Sequence, residues 1–261
     1  MIGSKERYAL VTGASSGIGY ELAKLFAKDG KNIVVVARSR DKLEDLKKEL
    51  ENKHRTKVNV LVKDLSKPEA PQELSSELEK EHIEVDVLVN NAGYDIYGNF
   101  SETNLHEELE MLQVNITSLT CLTKLFLSKM LKNNSGKILN VSSLAAFVPV
   151  PKSSLYAASK SFVLSFSEAL ATELHGTGIT VTCLCPGIVQ TKFYERGNFP
   201  PHSKAMKMRK MDAAKVAQSS FSALKKGKTF VAPGLIYAIF AFSPRLSRSV
   251  ARYMFSKAVG E

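Results

Sequence analysis

Short apolar runs rich in Val, Ile and Leu, separated by amphipathic stretches, recur along most of the chain, and this rhythm constrains the fold more than any single motif. The runs fall at 8–12, 33–37, 58–62, 85–89, 137–141 and 179–185, with a last short one at 229–231. A strand with one wet face alternates apolar and polar residues. Near-continuous apolar runs instead predict strands covered on both faces, as in a parallel sheet. Helical periodicity falls near 17–28, 41–53, 69–81, 105–132 and 153–175. Repeated βαβ units with right-handed crossovers then predict an α/β fold, a doubly wound parallel sheet of about seven strands in three α/β/α layers. No proline- or glycine-rich linker divides the 261 residues, so one domain over 1–261 is expected. Residues 192–214 break the rhythm with Gly197, Pro200, Pro201 and several methionines, which predicts a substrate-loop insertion after a strand. Residues 234–261 read as a C-terminal extension.

The first strand runs into Thr12-Gly13-Ala14-Ser15-Ser16-Gly17-Ile18-Gly19, and a helix starts near Gly17. A turn of this kind aims backbone N–H groups of a helix N-terminus at negative charge, so it predicts a phosphate cradle made by residues 13–19. Gly13 suits the tight turn, Gly17 the approach of a pyrophosphate, and Gly19 close helix–strand packing. The spacing is G-x-x-x-G-x-G and not G-x-G-x-x-G, so these roles transfer by geometry. The second strand ends in Arg38-Ser39-Arg40, where an NAD site would offer a carboxylate to the ribose hydroxyls. Asp41 is better placed to begin the next helix. A guanidinium at Arg38, with Ser39, Arg40 and Ser15 nearby, matches a 2′-phosphate and predicts NADP as cofactor. Asp64-Leu65 and Asn90-Asn91-Ala92-Gly93 follow the third and fourth strands, along the same crevice. Asp64 is expected at the adenine amino group, and Asn90 and Gly93 around the adenosine ribose.

The fifth strand delivers Ser142-Ser143, and Tyr156-Ala157-Ala158-Ser159-Lys160 follows. Tyr156 and Lys160, at i and i+4, share one helix face. A phenol ordinarily titrates near ~10, and a close ammonium favours its ionised form. In reduction Tyr156 would give its proton to a developing alkoxide, with Ser143 holding the same oxygen. Lys160 would bond the nicotinamide ribose and lock cofactor and acid into one array. A serine hydrolase is the rival chemistry, but Ser143 lacks the G-x-S-x-G elbow and the histidines offer no ordered triad partner.

As a set, the glycine turn, Asp64-Leu65, Asn90-Asn91-Ala92-Gly93, Ser143, Tyr156 to Lys160 and Pro186-Gly187 resemble the classical short-chain dehydrogenase/reductase family, in its ketoreductase-like branch. The resemblance implies a seven-stranded Rossmann-like sheet and an Asn, Ser, Tyr, Lys tetrad, in which Asn115 is the fourth member beside a water-linked proton path. It also implies that Pro186, Gly187, Ile188 and Thr191 surround the nicotinamide. The activity it implies is NADP(H)-dependent reduction of an apolar ketone or ketoacyl carbonyl to an alcohol. Two other readings share these residues: an alcohol dehydrogenase working in the oxidative direction, and a nonenzymatic NADP-binding sensor. Tyr94, Ile96, Tyr97, the segment 147–150, Phe193 and Tyr194 are expected to line an apolar pocket.

The net charge of +10 is uneven, with 22 Lys and Arg against 23 Asp and Glu over 1–191 and 14 against 3 over 192–261. Without a zinc finger, RNA-binding aromatic motif or compact arginine cluster, no nucleic-acid partner is expected. The arginine-bearing segment 234–260 fits either packing over the substrate cleft or the domain edge, or peripheral contact with an anionic membrane. Surplus apolar residues on helices 105–132 and 153–175, among them Leu109, Leu112, Leu119, Leu122, Leu125, Phe162, Phe166 and Leu170, predict a homodimer, with a tetramer as the other outcome. No signal segment is read at residues 1–7, and the apolar stretch 235–242 is far short of a membrane span, so a cytoplasmic protein is expected. The scattered histidines make a metal site unexpected. Cys183 and Cys185 are expected to send their thiols to opposite faces of a strand.

Overall fold

The computed structural model describes residues 6–197, 199–200 and 210–234. Seven parallel strands form one sheet in the order β3-β2-β1-β4-β5-β6-β7. They are β1 (Arg7–Thr12), β2 (Asn32–Ala37), β3 (Val58–Val62), β4 (Glu84–Asn90), β5 (Gly136–Val141), β6 (Ile179–Leu184) and β7 (Phe230–Val231). The helices are α1 (Gly17–Lys28), α2 (Arg40–Lys53), α3 (Ala70–Lys80), α4 (Leu105–Leu112), α5 (Leu119–Lys132), α6 (Ser154–Glu173), α7 (Phe193–Arg196) and α8 (Ala213–Lys225). The chain leaves β1 toward β2 and β3, then returns to lay β4 on the other side of β1. That reversal opens a crevice at the carboxyl ends of β1 and β4, the place where sheets of this kind bind ligand.

Burial explains the apolar strands. Ala9 and Val11 of β1 pack with Leu22, Phe26, Leu43, Leu46 and Phe221 on one face. Tyr8 and Leu10 pack with Leu74, Leu78, Leu122 and Phe126 on the other. Alternate residues thus enter two different cores, and each fully buried aliphatic side chain contributes about 1.5–3 kcal/mol.

Three features differ from the sequence reading. The helix expected over 105–132 has a π-helical turn, Gln113–Ser118, between α4 and α5. Helix α8 lies partly inside the expected insertion and was not anticipated; Asp212 caps it by accepting from the Lys215 N–H at 2.9 Å. The Cys183 and Cys185 thiols lie 3.8 Å apart on the same face. Residues two apart along a strand point the same way, so the opposite-face expectation was wrong. Residues 235–261 of the expected C-terminal extension lie outside the described residues, as do Asn198 and 201–209 of the expected insertion. Among the described residues no helix is long and apolar enough to cross a membrane, and no cluster of metal-ligating side chains occurs.

Candidate active site

The turn between β1 and α1 is built for close contact. Gly13 has φ +67°, a conformation that favours glycine, and a Cβ there would stand 2.8 Å from Asn91 Nδ2. A Cβ on Gly19 would meet the same nitrogen at 2.4 Å and the Gly13 carbonyl at 2.6 Å. Asn91 explains both, because its Nδ2 donates to the carbonyls of Thr12 at 2.9 Å and Gly13 at 3.3 Å. Thr12 Oγ1 completes the brace by accepting from the N–H groups of Asn91 and Ala92, each at 3.0 Å. Ser16 stands at the helix N-cap in extended backbone and makes no side-chain capping bond. The first turn of α1, which begins with Gly17 and Ile18, therefore keeps backbone N–H groups uncapped by that side chain, which suits an anion.

Asn90 departs from expectation. Its Nδ2 donates to Thr123 Oγ1 at 3.0 Å and Asn140 Oδ1 at 2.9 Å, and its side chain is buried between β4, β5 and α5. It belongs to the core and not to a ribose site. Arg38 and Asp64, at the ends of β2 and β3, face each other at 4.0 Å while both stay solvent-accessible. Ser39 and Arg40 are exposed at the start of α2. Asp64 accepts from the Ser66 N–H at 3.0 Å. Leu65 is buried, and its carbonyl accepts from Ser118 Oγ at 2.7 Å.

The side chains expected to react converge on the far side of β4. The π-helical turn carries Asn115, fully buried, whose Nδ2 donates to the Tyr94 carbonyl at 3.0 Å and Ser159 Oγ at 3.1 Å. Its Oδ1 accepts from the Tyr94 N–H at 3.2 Å. Asn115 thus ties the loop after β4 to α6. Lys160, 4% exposed, donates from Nζ to the Val141 carbonyl at 2.9 Å. A Cβ on Gly93 would stand 3.2 Å from that nitrogen, so Gly93 leaves room for the ammonium. Burial lowers the Lys160 pKa to about 8, against the raising influence of Cys183, Cys185 and Asp95. Ser142, at the end of β5, donates its hydroxyl to the Lys160 carbonyl at 2.7 Å.

Tyr156 keeps part of its surface exposed, yet protein crowded around its hydroxyl pushes its pKa well above the ordinary tyrosine value. Asp95 pushes the same way, while a hydrogen bond with Ser143 opposes them. Tyr156 is therefore held as a neutral phenol. Ser143 caps a short turn, its hydroxyl accepting from the Ala145 N–H at 3.1 Å.

Residues after β6 close the cleft. The Leu144 N–H donates to the Pro186 carbonyl at 3.0 Å, and the Met211 N–H to the Ile188 carbonyl at 2.7 Å. Thr191 leaves its methyl 2.8 Å from where a Gly17 Cβ would stand, which brings Thr191 back toward the glycine turn. Arg196, in α7, extends Nη2 to Ser16 Oγ at 3.4 Å. The Phe193 ring lies tilted 5.4 Å from that of Tyr156, Tyr194 meets Phe193 edge-on at 5.4 Å, and Phe199 bridges Tyr194 and Tyr97. Of the apolar pocket expected from sequence, Tyr97, Phe193 and Tyr194 gather here. Phe147 instead packs on Phe230 in a separate core cluster.

The sequence reading overlooked Asp95, Ser142, Ser159 and Arg196. Asp95 had a legible signal, an acid inside the otherwise apolar and aromatic run from Tyr94 to Tyr97.

A doubly wound sheet, a glycine turn at its switch point and a Ser143, Tyr156, Lys160 array together define a nucleotide-dependent oxidoreductase. The chain belongs to the short chain dehydrogenase family, whose pattern it matches over residues 7–198. It is 33% identical over 191 residues to an uncharacterized oxidoreductase of Staphylococcus saprophyticus, covering 73% of this chain and 82% of that one. It is 35% identical over 192 residues to a very-long-chain 3-oxoacyl-CoA reductase of Danio rerio, covering 71% of this chain and 59% of the relative. The fold superposes on a short-chain dehydrogenase from Sphingobium yanoikuyae in complex with NADPH, at TM-score 0.84 and 27% identity over 94% of each chain.

Proposed function

We propose that this protein is an NADP(H)-dependent carbonyl reductase for apolar ketone or ketoacyl substrates, with Tyr156 as proton donor. The observation that carries this reading is Tyr156 itself, a neutral phenol hydrogen-bonded with Ser143 and covered by Phe193. The nucleotide fits the residues present: the cradle at 13–19 has no room for added Cβ atoms at Gly13 and Gly19, and an arginine stands where NAD would want an acid. Gly13, Ser15, Ser16, Gly17, Ile18 and Gly19 would hold the pyrophosphate, and Arg38, Ser39 and Arg40 the 2′-phosphate. Asp64 and Leu65 would border the adenine, with Asn91, Ala92 and Gly93 along the ribose. Pro186, Gly187, Ile188 and Thr191 would flank the nicotinamide. When bound, the cofactor supplies a hydride to the carbonyl carbon.

Tyr156 donates its proton to the substrate oxygen as charge develops there. Ser143 shares that oxygen and stabilises the charge. Lys160 holds a positive charge beside the phenol and orients the ribose. Asn115 fixes the loop after β4 against α6, so that the tetrad keeps its spacing. The aromatic group of Tyr97, Phe193, Tyr194 and Phe199 favours an apolar substrate and excludes water from the reacting oxygen. The same array serves oxidation when substrate and cofactor are supplied in the opposite redox state.

A panel of ketones, quinones, ketoacyl thioesters and steroids, followed by NADPH and NADH consumption, tests the proposal. Turnover of apolar ketones or ketoacyl thioesters with NADPH, weakened at least about tenfold with NADH, is the expected result. Equal use of the two cofactors would remove the role given to Arg38. Turnover confined to charged, polar carbonyls would remove the substrate class.

Exposed apolar side chains on α4 and α6 support self-association. Leu105, Leu109 and Phe162 are 66%, 53% and 38% exposed, whereas Leu119, Leu122 and Leu170 are buried against the sheet. A homodimer joined across these helices is the assembly we favour. Localisation in the cytoplasm and a single domain over 1–261 complete the proposal.

A further inference from the structure

An arginine outside the glycine turn is aimed at it. Arg196, the last residue of α7, is exposed and extends Nη2 to Ser16 Oγ at 3.4 Å. It makes no ion pair among the described residues. The backbone on both sides holds it there. Before α7, the Gln190 N–H donates to the Met211 carbonyl at 2.8 Å, and the Thr191 methyl stands 2.8 Å from where a Gly17 Cβ would be. After α7, the Gly197 carbonyl accepts from the Tyr97 N–H at 3.1 Å. A Cβ on Gly197 would stand 3.0 Å from the Asp95 carbonyl and 2.9 Å from the Phe199 ring, so this corner is closely packed. The loop after β6 thus meets the glycine turn at two points, Thr191 on Gly17 and Arg196 on Ser16.

In the protein alone this is a poor place for a cation. A helix N-terminus carries partial positive charge, which disfavours a guanidinium beside it. The first turn of α1 has no acidic residue, and its N-cap Ser16 makes no side-chain capping bond. The serine hydroxyl offers Arg196 only a neutral acceptor. An anion placed between the two would satisfy both, taking backbone N–H groups from α1 and charged hydrogen bonds from Arg196. The pyrophosphate of a dinucleotide, with a negative charge on each phosphate, is an anion of this kind.

We propose that Arg196 is a cofactor-binding residue that holds the pyrophosphate of NADP(H) against the N-terminus of α1 from the side of the loop after β6. This rests on residues 13–19 being the pyrophosphate cradle. The role is separate from that of Arg38, which stands at the end of β2 for the 2′-phosphate. Because α7 also sets Phe193 5.4 Å from the Tyr156 ring, the contact links the middle of the cofactor to the cover over Tyr156.

Titration calorimetry on the full-length protein tests this with two ligands, NADPH and adenosine 2′-phosphate, a fragment that lacks the pyrophosphate. Arg196→Gln removes the charge at an exposed position and should weaken NADPH about tenfold. The fragment should stay within about twofold of its wild-type affinity. Arg196→Glu reverses the charge and should weaken NADPH about a hundredfold, a grading that lost packing alone would not produce. NADPH affinity within about twofold of wild type in both variants would overturn the proposal. So would equal losses for NADPH and the fragment. Ser16→Asp tests the cradle separately, since aspartate suits an N-cap and its carboxylate would pair with Arg196 and repel phosphate. NADPH affinity should then fall at least about thirtyfold. Unchanged affinity in Ser16→Asp would remove the cradle itself, whereas a loss there with none in the Arg196 variants would overturn only the role of Arg196.

Discussion

Asn90 directs its amide at Thr123 and Asn140, and Asn140 Nδ2 passes a further bond to Ser167 Oγ at 3.0 Å. These fully buried groups join β4, β5, α5 and α6 just beneath the site. Because each is shielded from water, removing one partner leaves another unsatisfied. Asn90→Leu should therefore lower stability by about 2–4 kcal/mol in urea unfolding, with NADPH affinity in the folded fraction changed less than about threefold. Normal stability with a tenfold or greater loss of affinity would restore Asn90 to the ribose site. Its neighbour Asn91 works on the other side of the strand end, bracing the glycine turn. The dipeptide motif was legible in the sequence. Which amide serves the core and which the turn was not, because that depends on the direction of the last β4 pleat.

Among the elements, α8 shows how packing reaches beyond what periodicity announces. Val216, Ala217, Ser220, Phe221 and Leu224 form its buried face, but the small Ala and Ser members dilute the apolar signal. The helix settles on α1, where Phe221 meets Phe26 edge-on at 5.1 Å. Phe221→Ala should cost about 3–4 kcal/mol, the usual price of a large buried ring and its cavity. A loss under about 1 kcal/mol would mean that α8 packs loosely on the sheet. The strands were easier to read, since β1, β2 and β3 are apolar at nearly every position. The π-helical turn had no comparable signal. One extra residue per turn sets Asn115 against Tyr94 and Ser159, and a sequence cannot distinguish it from an ordinary helix with a polar residue inside.

At the scale of the whole molecule, the doubly wound sheet explains why the site could be read from scattered motifs. Parallel strands all deliver their carboxyl ends to one edge, so Gly13, Arg38, Asp64, Gly93, Ser143 and Pro186 meet there although they are far apart in sequence. Contacts between loops were not legible in the same way: Asp95 with Ser153, and Arg196 with Ser16, depend on how the loops fold over that edge. The exposed Leu105, Leu109 and Phe162 present apolar surface on α4 and α6. Light scattering at micromolar concentration should return twice the subunit mass, and Leu109→Glu with Phe162→Glu should return one subunit mass with turnover per site largely kept. A wild-type monomer would contradict the dimer.

The account turns on one proton. NADPH consumption over the carbonyl panel, measured for the wild type and Tyr156→Phe alongside NADPH binding to each, tests it most directly. Loss of the hydroxyl should cut kcat by at least about 10³-fold, in the range expected for a general acid that also orients its substrate, while NADPH affinity stays within about threefold. Comparable turnover by Tyr156→Phe on any substrate the wild type reduces would contradict the assignment of Tyr156 as the proton donor.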